Sequence, residues 1–100
     1  MTIQSQLFDA VARRSVVTIQ DRNGRTRVVE PYMVYDTSKG KRCLHCYQLS
    51  GYSSSGQSIG WKNPQLTDIS AVMVHAETFQ PRSEYNPFNR EMFPQIHCRV

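Results

Sequence analysis

The sequence predicts a small, mainly β domain with one short N-terminal helix, and three observations carry that prediction. From Val16 to His75 the chain runs in short β-branched and aromatic stretches with scarcely a helical period. Turn signals separate those stretches: Asn23-Gly24, then Thr37-Ser38-Lys39-Gly40-Lys41, then the serine-rich segment holding Gly51 and Gly56. Residues 3–13, by contrast, place Ile3, Leu7, Ala10 and Val11 at helical spacing. The expected product is a closed or nearly closed sheet with one basic side.

Each element follows in order. The helix has Thr2 or Ser5 available as its N-cap and ends near Arg13-Arg14, where cations suit the C-terminal dipole. Val16-Val17-Thr18-Ile19 is the first strand, and Asn23-Gly24 predicts a type I′ hairpin because both residues tolerate positive φ. The return strand runs from about Arg25 to Tyr35. Pro31 has no N–H to give a ladder, so the strand must kink, bulge or lie at an edge there. Arg42 to Leu49 is the next strand, and Ser50 to Ser58 reads as a flexible loop. Ile59 to Lys62 starts a fourth strand that Asn63-Pro64 interrupts, and Ser70 to Ala76 is a fifth, with Val72 and Val74 on one face and Met73 on the other.

A tail follows from Phe79, punctuated by Pro81, Pro87 and Pro94. Asn86-Pro87 predicts a short helix over 87–92, and Gln95 to Val100 alternates as a last edge strand. Phe79 and Phe88 are expected to pack back over an open end of the sheet; Phe93 is open to either packing or a partner. The organisation is one domain: 1–78 as helix and sheet, 79–100 as a tail upon it.

Composition narrows the function classes. At 100 residues, 39% hydrophobic and 20% charged, the chain has enough apolar surface for one core. No apolar run approaches the roughly 20 residues that span a bilayer, and no leader pattern opens the sequence, so a cytoplasmic protein without a membrane partner is expected. Three cysteines, odd in number and sparse, argue for reduced thiols. Charge is uneven: residues 1–62 carry a net of +5 and residues 63–100 a net of −1. A basic side of this kind gathers anions, and salt weakens the effect.

Arg27-Val28-Val29-Glu30-Pro31-Tyr32 after an N-terminal helix, Leu44, Cys46 and Tyr47 in the next strand, Gly60-Trp61-Lys62, Leu66-x-Asp68-Ile69-x-x-Val72 and the terminal Phe79 together carry a likeness. On those residues the chain resembles a small, divergent stand-alone member of the WYL-domain family, over about residues 7–80. The resemblance implies a five-stranded SH3/Sm-like barrel in a bacterial or phage regulatory protein. Two positions depart from the family. Its signature triplet reads Arg42-Cys43-Leu44 here, and its ligand-contacting arginine falls near Gln65. An anion site in this chain would therefore be a displaced one, built from Arg25, Arg27, Arg42 and Lys62.

The residues themselves supply the same candidates. Guanidinium groups pair with phosphate oxygens in a fork geometry, and aromatic faces accept stacked bases. Arg22, Arg25, Arg27, Arg42 and Lys62 with Tyr32, Tyr47 and Trp61 hold both ingredients. Arg25 and Arg27, two apart, share a strand face. Tyr47 and Trp61 serve either as stacking platforms or as core aromatics. Cys43-Leu44-His45-Cys46 with His97-Cys98 has zinc-ligand chemistry, but residues three apart in a strand point to opposite faces. No cofactor is expected, and no nucleophile–base–orienter set is visible, so an enzyme is not expected.

The expectation is a non-enzymatic regulatory binding module holding a nucleic acid or a nucleotide-like anion at Arg25, Arg27, Arg42, Lys62, Tyr47 and Trp61. The chain has no room for a helix-turn-helix, so a transcriptional role would need a regulatory partner chain or a second module. The alternative is a protein–protein interaction or homo-oligomerisation module whose charge is incidental.

Overall fold

A computed structural model describes residues 2–53 and 56–100. Helix α1 (Ile3–Arg13) begins where Thr2 Oγ1 accepts the Ser5 N–H at 3.0 Å, so Thr2 is the cap. It stops at Arg14, whose φ of 54° is left-handed and whose N–H closes on the carbonyls of Ala10 and Val11. Leu7, Ala10 and Val11 form its buried stripe. A leucine or valine side chain taken out of water contributes about 1.5–3 kcal/mol, so this stripe holds the helix to the sheet.

Among the described residues six strands form one antiparallel sheet: β1 (Ser15–Asp21), β2 (Thr26–Asp36), β3 (Arg42–Gly51), β4 (Gly60–Lys62), β5 (Ile69–Thr78) and β6 (Gln95–Arg99). The order is β4-β3-β2-β1-β5, with β6 paired to the far half of β2. β2 organises the sheet. Thr26–Val29 pair with β1, Met33–Asp36 pair with β6, and β3 runs along its whole length. Pro31 sits at the handover from β1 to β6, where neither strand requires its missing N–H. The expected irregularity is a bulge: Pro31 faces Cys46, Met33 faces His45, and Tyr32 is left unopposed.

That bulge has a packing consequence. Val29 and Val34 join Leu7, Val17 and Leu44 beneath α1, whereas Tyr32 and Met33 both pack toward the tail. The sheet is thus covered by α1 on one face and by the tail on the other. Phe79 and Phe93 are buried there, while Phe88, expected to pack back, is 76% exposed.

The closed five-stranded barrel is not made. Among the described residues no ladder joins β4 to β5. β4 ends after three residues because the chain crosses over at Asn63-Pro64: Leu44 N–H donates to the Pro64 carbonyl at 2.9 Å, and a lone bridge pairs Cys43 with Gln65. A 3₁₀ turn, Leu66–Asp68, then feeds β5.

Three local expectations are corrected. The first hairpin is not type I′, since Asn23 keeps negative φ and Gly24 alone is left-handed at 80°. Asp21 causes this: its Oδ1 accepts the N–H groups of Asn23 (2.9 Å) and Arg25 (3.0 Å), holding a turn with a glycine bulge. Residues 87–92 form turns and no helix. Asn86 Oδ1 accepts Phe88 N–H, as an N-cap would, but Asn89 Oδ1 then accepts Met92 N–H, a donor that a helix would give to the Phe88 carbonyl. Val72 and Val74 share the face of their partners Ile19 and Val17, with Met73 opposite Thr18 on the other, as expected, although Val74 is 39% exposed. The loop expected over Ser50–Ser58 includes residues 54 and 55, which lie outside the described residues. Its start is still strand, and Gly51 is required there: at φ 105° a Cβ would lie 2.4 Å from the Thr26 carbonyl oxygen.

Candidate functional site

The unpaired ends of β4 and β5 leave a cleft of about 440 Å³ beneath the β1–β2 hairpin. Arg22, Arg25, Arg27 and Lys62 line it, with Asp21 and Asp68 as its carboxylates. The hairpin is tied across the gap by Arg22, whose Nε donates to the Thr67 carbonyl. Arg25 and Arg27 do share a face: their guanidinium carbons lie 3.9 and 5.9 Å from the ring centroid of Tyr52.

The charge of this cleft is decided by what each group already holds. Asp21 is saturated, for besides its two backbone donors its Oδ2 meets Arg25 Nε at 3.1 Å. Burial pushes its carboxyl up, but the backbone donors and Arg25 outweigh that and hold it below the usual range. Among the described residues Lys62 Nζ bonds neutral oxygens, the Gln57 carbonyl at 2.8 Å and Ser53 Oγ at 3.4 Å. Among the described residues neither Arg27 nor Lys62 lies within ion-pair distance of a carboxylate. Both cations are therefore available to an incoming anion.

Arg42 does not join them. It lies at the opposite end of the β2–β3 ladder, where Nε meets Asp36 Oδ1 at 2.9 Å and a terminal nitrogen meets Gln4 Oε1 at 2.7 Å, pinning α1 to β3. The Arg42 hydrogen bond and the His97 contact hold the Asp36 carboxyl down at about 2.

Tyr47 and Trp61 are also elsewhere, on the tail-covered face. Tyr47 lies under Arg82, whose guanidinium carbon is 3.6 Å from its ring centroid. The same guanidinium pairs with the buried Glu30, Nε to Oε1 at 3.0 Å, and Tyr32 OH donates to that oxygen at 3.1 Å. Burial, with Glu30 nearby, pushes Tyr32 up to about 12. Trp61 stacks on His45 with centroids 4.8 Å apart and planes 7° from parallel. It meets Tyr32 and Tyr47 edge-on. Trp61 and Lys62, adjacent in β4, thus serve opposite faces of the sheet.

Cys43 packs with Tyr35 and Phe93 on the tail side, and Cys46 beneath α1, so the two thiols face apart. Burial pushes Cys46 up to about 12 and raises Cys43 and Cys98 as well, which disfavours the thiolate at all three free cysteines. Among the described residues no group of three or more His, Cys, Asp or Glu could hold a metal, and no helix is long and apolar enough to cross a membrane.

Sequence reasoning missed Tyr52, Arg82 and Asn63. Nothing in the sequence signals Arg82 or Asn63, which act through contacts made 18 or more residues away along the chain. Tyr52 had a signal: it follows the strand that pairs with the one carrying Arg25 and Arg27. Set against protein-family models, curated proteins and solved structures, the chain matches none of them.

Proposed function

We propose that this chain is a non-enzymatic regulatory binding module of WYL-like type, and that the cleft beneath the β1–β2 hairpin holds the phosphates of a nucleic acid or nucleotide. The observation that carries this reading is the convergence of Arg27 and Lys62, from strands β2 and β4, on one cleft with no carboxylate partner among the described residues. Arg22 and Arg25 add charge at its hairpin wall. Arg42, Tyr47 and Trp61 are left to structural roles at this site. The strand order β4-β3-β2-β1-β5 supports an Sm-like relationship, with the cleft lying where such a barrel would close. Free, buried thiols fit a cytoplasmic protein.

Labelled single-stranded DNA and RNA, titrated at two salt concentrations, test the reading. Binding should weaken with salt by a log–log slope of about −0.7 per phosphate neutralised. Arg27→Glu and Lys62→Glu should each remove most of it. Absence of binding at low salt, or binding indifferent to both variants, would overturn the proposal.

A second reading, self-association, is favoured by β5, an open edge strand whose Met73 is 67% and Val74 39% exposed. Light scattering that returns a monomer at high concentration excludes it.

A further inference from the structure

The tail-covered face carries a second cleft, of about 260 Å³, that the basic site does not use. Its apolar walls are His45, Trp61 and Phe93; Glu84, Asn86 and Asn89 supply its polar groups. The hydrogen bonds these residues already make fix what each can still offer.

Asn63 Oδ1 carries no hydrogen, so at 2.8 Å His45 Nδ1 must donate to it. Tyr35 OH donates to the same oxygen at 3.0 Å, which locks the amide. Nδ1 therefore bears the proton, and Nε2 is left as a lone-pair acceptor. Burial keeps the ring neutral by lowering its pKa. Nε2 bonds no described residue, yet among the described residues the only fully buried side-chain nitrogen or oxygen without a partner is Gln48 Oε1. His45 Nε2 is thus not fully enclosed, although the residue as a whole is only 6% exposed, and its side chain lines this cleft.

The asparagines are fixed in the opposite sense. Asn86 Oδ1 is occupied by Phe88 N–H at 3.1 Å and Asn89 Oδ1 by Met92 N–H at 3.2 Å, so each amide has its NH₂ left to donate. Glu84 Oε2 accepts the Ser83 hydroxyl at 3.4 Å, and the carboxylate keeps further acceptor lone pairs on both oxygens. The cleft accordingly offers two donors and two acceptors around aromatic walls.

We infer that this cleft is a binding site for a single planar nitrogen heterocycle of guanine type. Its volume falls below the roughly 300–1,000 Å³ of drug-sized sites, which suits one base and not a chain of them. A carboxylate repels phosphate, so the ligand's base enters and its charge stays outside. Guanine presents two N–H donors side by side, matching the two oxygens of Glu84, next to carbonyl and ring-nitrogen acceptors that match the asparagine NH₂ groups. Adenine lacks the paired donors and uracil has a single one. This site is distinct from the basic cleft, since it takes a neutral base on the other face of β4.

Titration of the full chain with guanosine, inosine and adenosine, read by Trp61 fluorescence and by calorimetry, tests it. Trp61 is the chain's single tryptophan, so its signal reports this cleft directly. Guanosine should bind at least about tenfold more tightly than adenosine, with inosine between them. Glu84→Gln, an exposed position that should not disturb folding, should weaken guanosine about tenfold or more. Arg27→Glu should leave guanosine unaffected while removing oligonucleotide binding, so the two sites fail independently. No guanosine binding at millimolar concentration, equal affinity for adenosine, or indifference to Glu84→Gln would overturn the inference.

Discussion

Arg82 Nε lies 3.0 Å from Glu30 Oε1, joining the tail to the middle of β2 through an ion pair whose carboxylate side chain is 10% exposed. Arg82 also donates its backbone N–H to Tyr32 OH at 3.0 Å and covers the Tyr47 ring. One tail residue therefore answers three groups on the face of the sheet that carries Trp61. Burial alone would push the Arg82 guanidinium down, but Glu30 more than offsets it.

Removing one partner should strand the other. Arg82→Met keeps an apolar stem over Tyr47 but leaves Glu30 with Tyr32 alone, and should cost about 2–3 kcal/mol in urea unfolding. Glu30→Gln together with Arg82→Met should cost less than the two single changes added. Strict additivity would show that the pair is not coupled.

Arg42 separates stability from binding. It holds Asp36 and Gln4 and has no place in the basic cleft. Arg42→Met should lower the urea midpoint slightly and leave oligonucleotide affinity unchanged. A loss of affinity comparable with that of Arg27→Glu would return Arg42 to the site.

Much of this arrangement was legible in the sequence, and the rest was not, for reasons that differ by element. Helix α1 and the strands were visible because their apolar periods are local. The irregularity at Pro31 followed from a missing N–H. Asn23-Gly24 announced a hairpin, yet its geometry is set by Asp21, whose carboxylate captures two backbone donors. Asn86-Pro87 looked like a helix start because Asn caps helices, but Asn86 and Asn89 each close a short turn instead. Of the basic patch read from Arg25, Arg27, Arg42 and Lys62, all but Arg42 line one cleft. Trp61 and Tyr47 sit apart from them, because Trp61 precedes Lys62 in β4 and Tyr47 pairs with Trp61 from β3, so both serve the other face, which a list of residue types does not reveal.

Glycine positions give a stability prediction with an internal control. Gly51→Ala meets the Thr26 carbonyl at φ 105° and should cost more than about 2 kcal/mol. Gly40→Ala, at φ 79° with nothing within 4 Å, should cost only about 1 kcal/mol. Equal costs for the two in thermal or urea unfolding would contradict the close approach of β3 to Thr26.

His45 sets an acid limit. Burial lowers its pKa in the folded chain below the ordinary 6.5, so the unfolded chain binds the proton first. Stability is then full above pH 6.5 and falls as pH drops below it, by at most about 1.4 kcal/mol per unit. Urea midpoints at pH 7.5 and 5.5 should differ in the wild type, and His45→Gln should reduce that difference. Identical midpoints in the wild type would contradict a buried neutral His45.

The basic cleft is the central claim, and the salt dependence of oligonucleotide binding tests it most directly. A fluorescent single strand titrated against wild type, Arg27→Glu and Lys62→Glu at low and physiological salt gives the answer in one series. The expected result is salt-sensitive binding that either charge reversal removes, while circular dichroism of the variants stays unchanged. Binding that survives both reversals, or wild type that binds nothing at low salt, would contradict it.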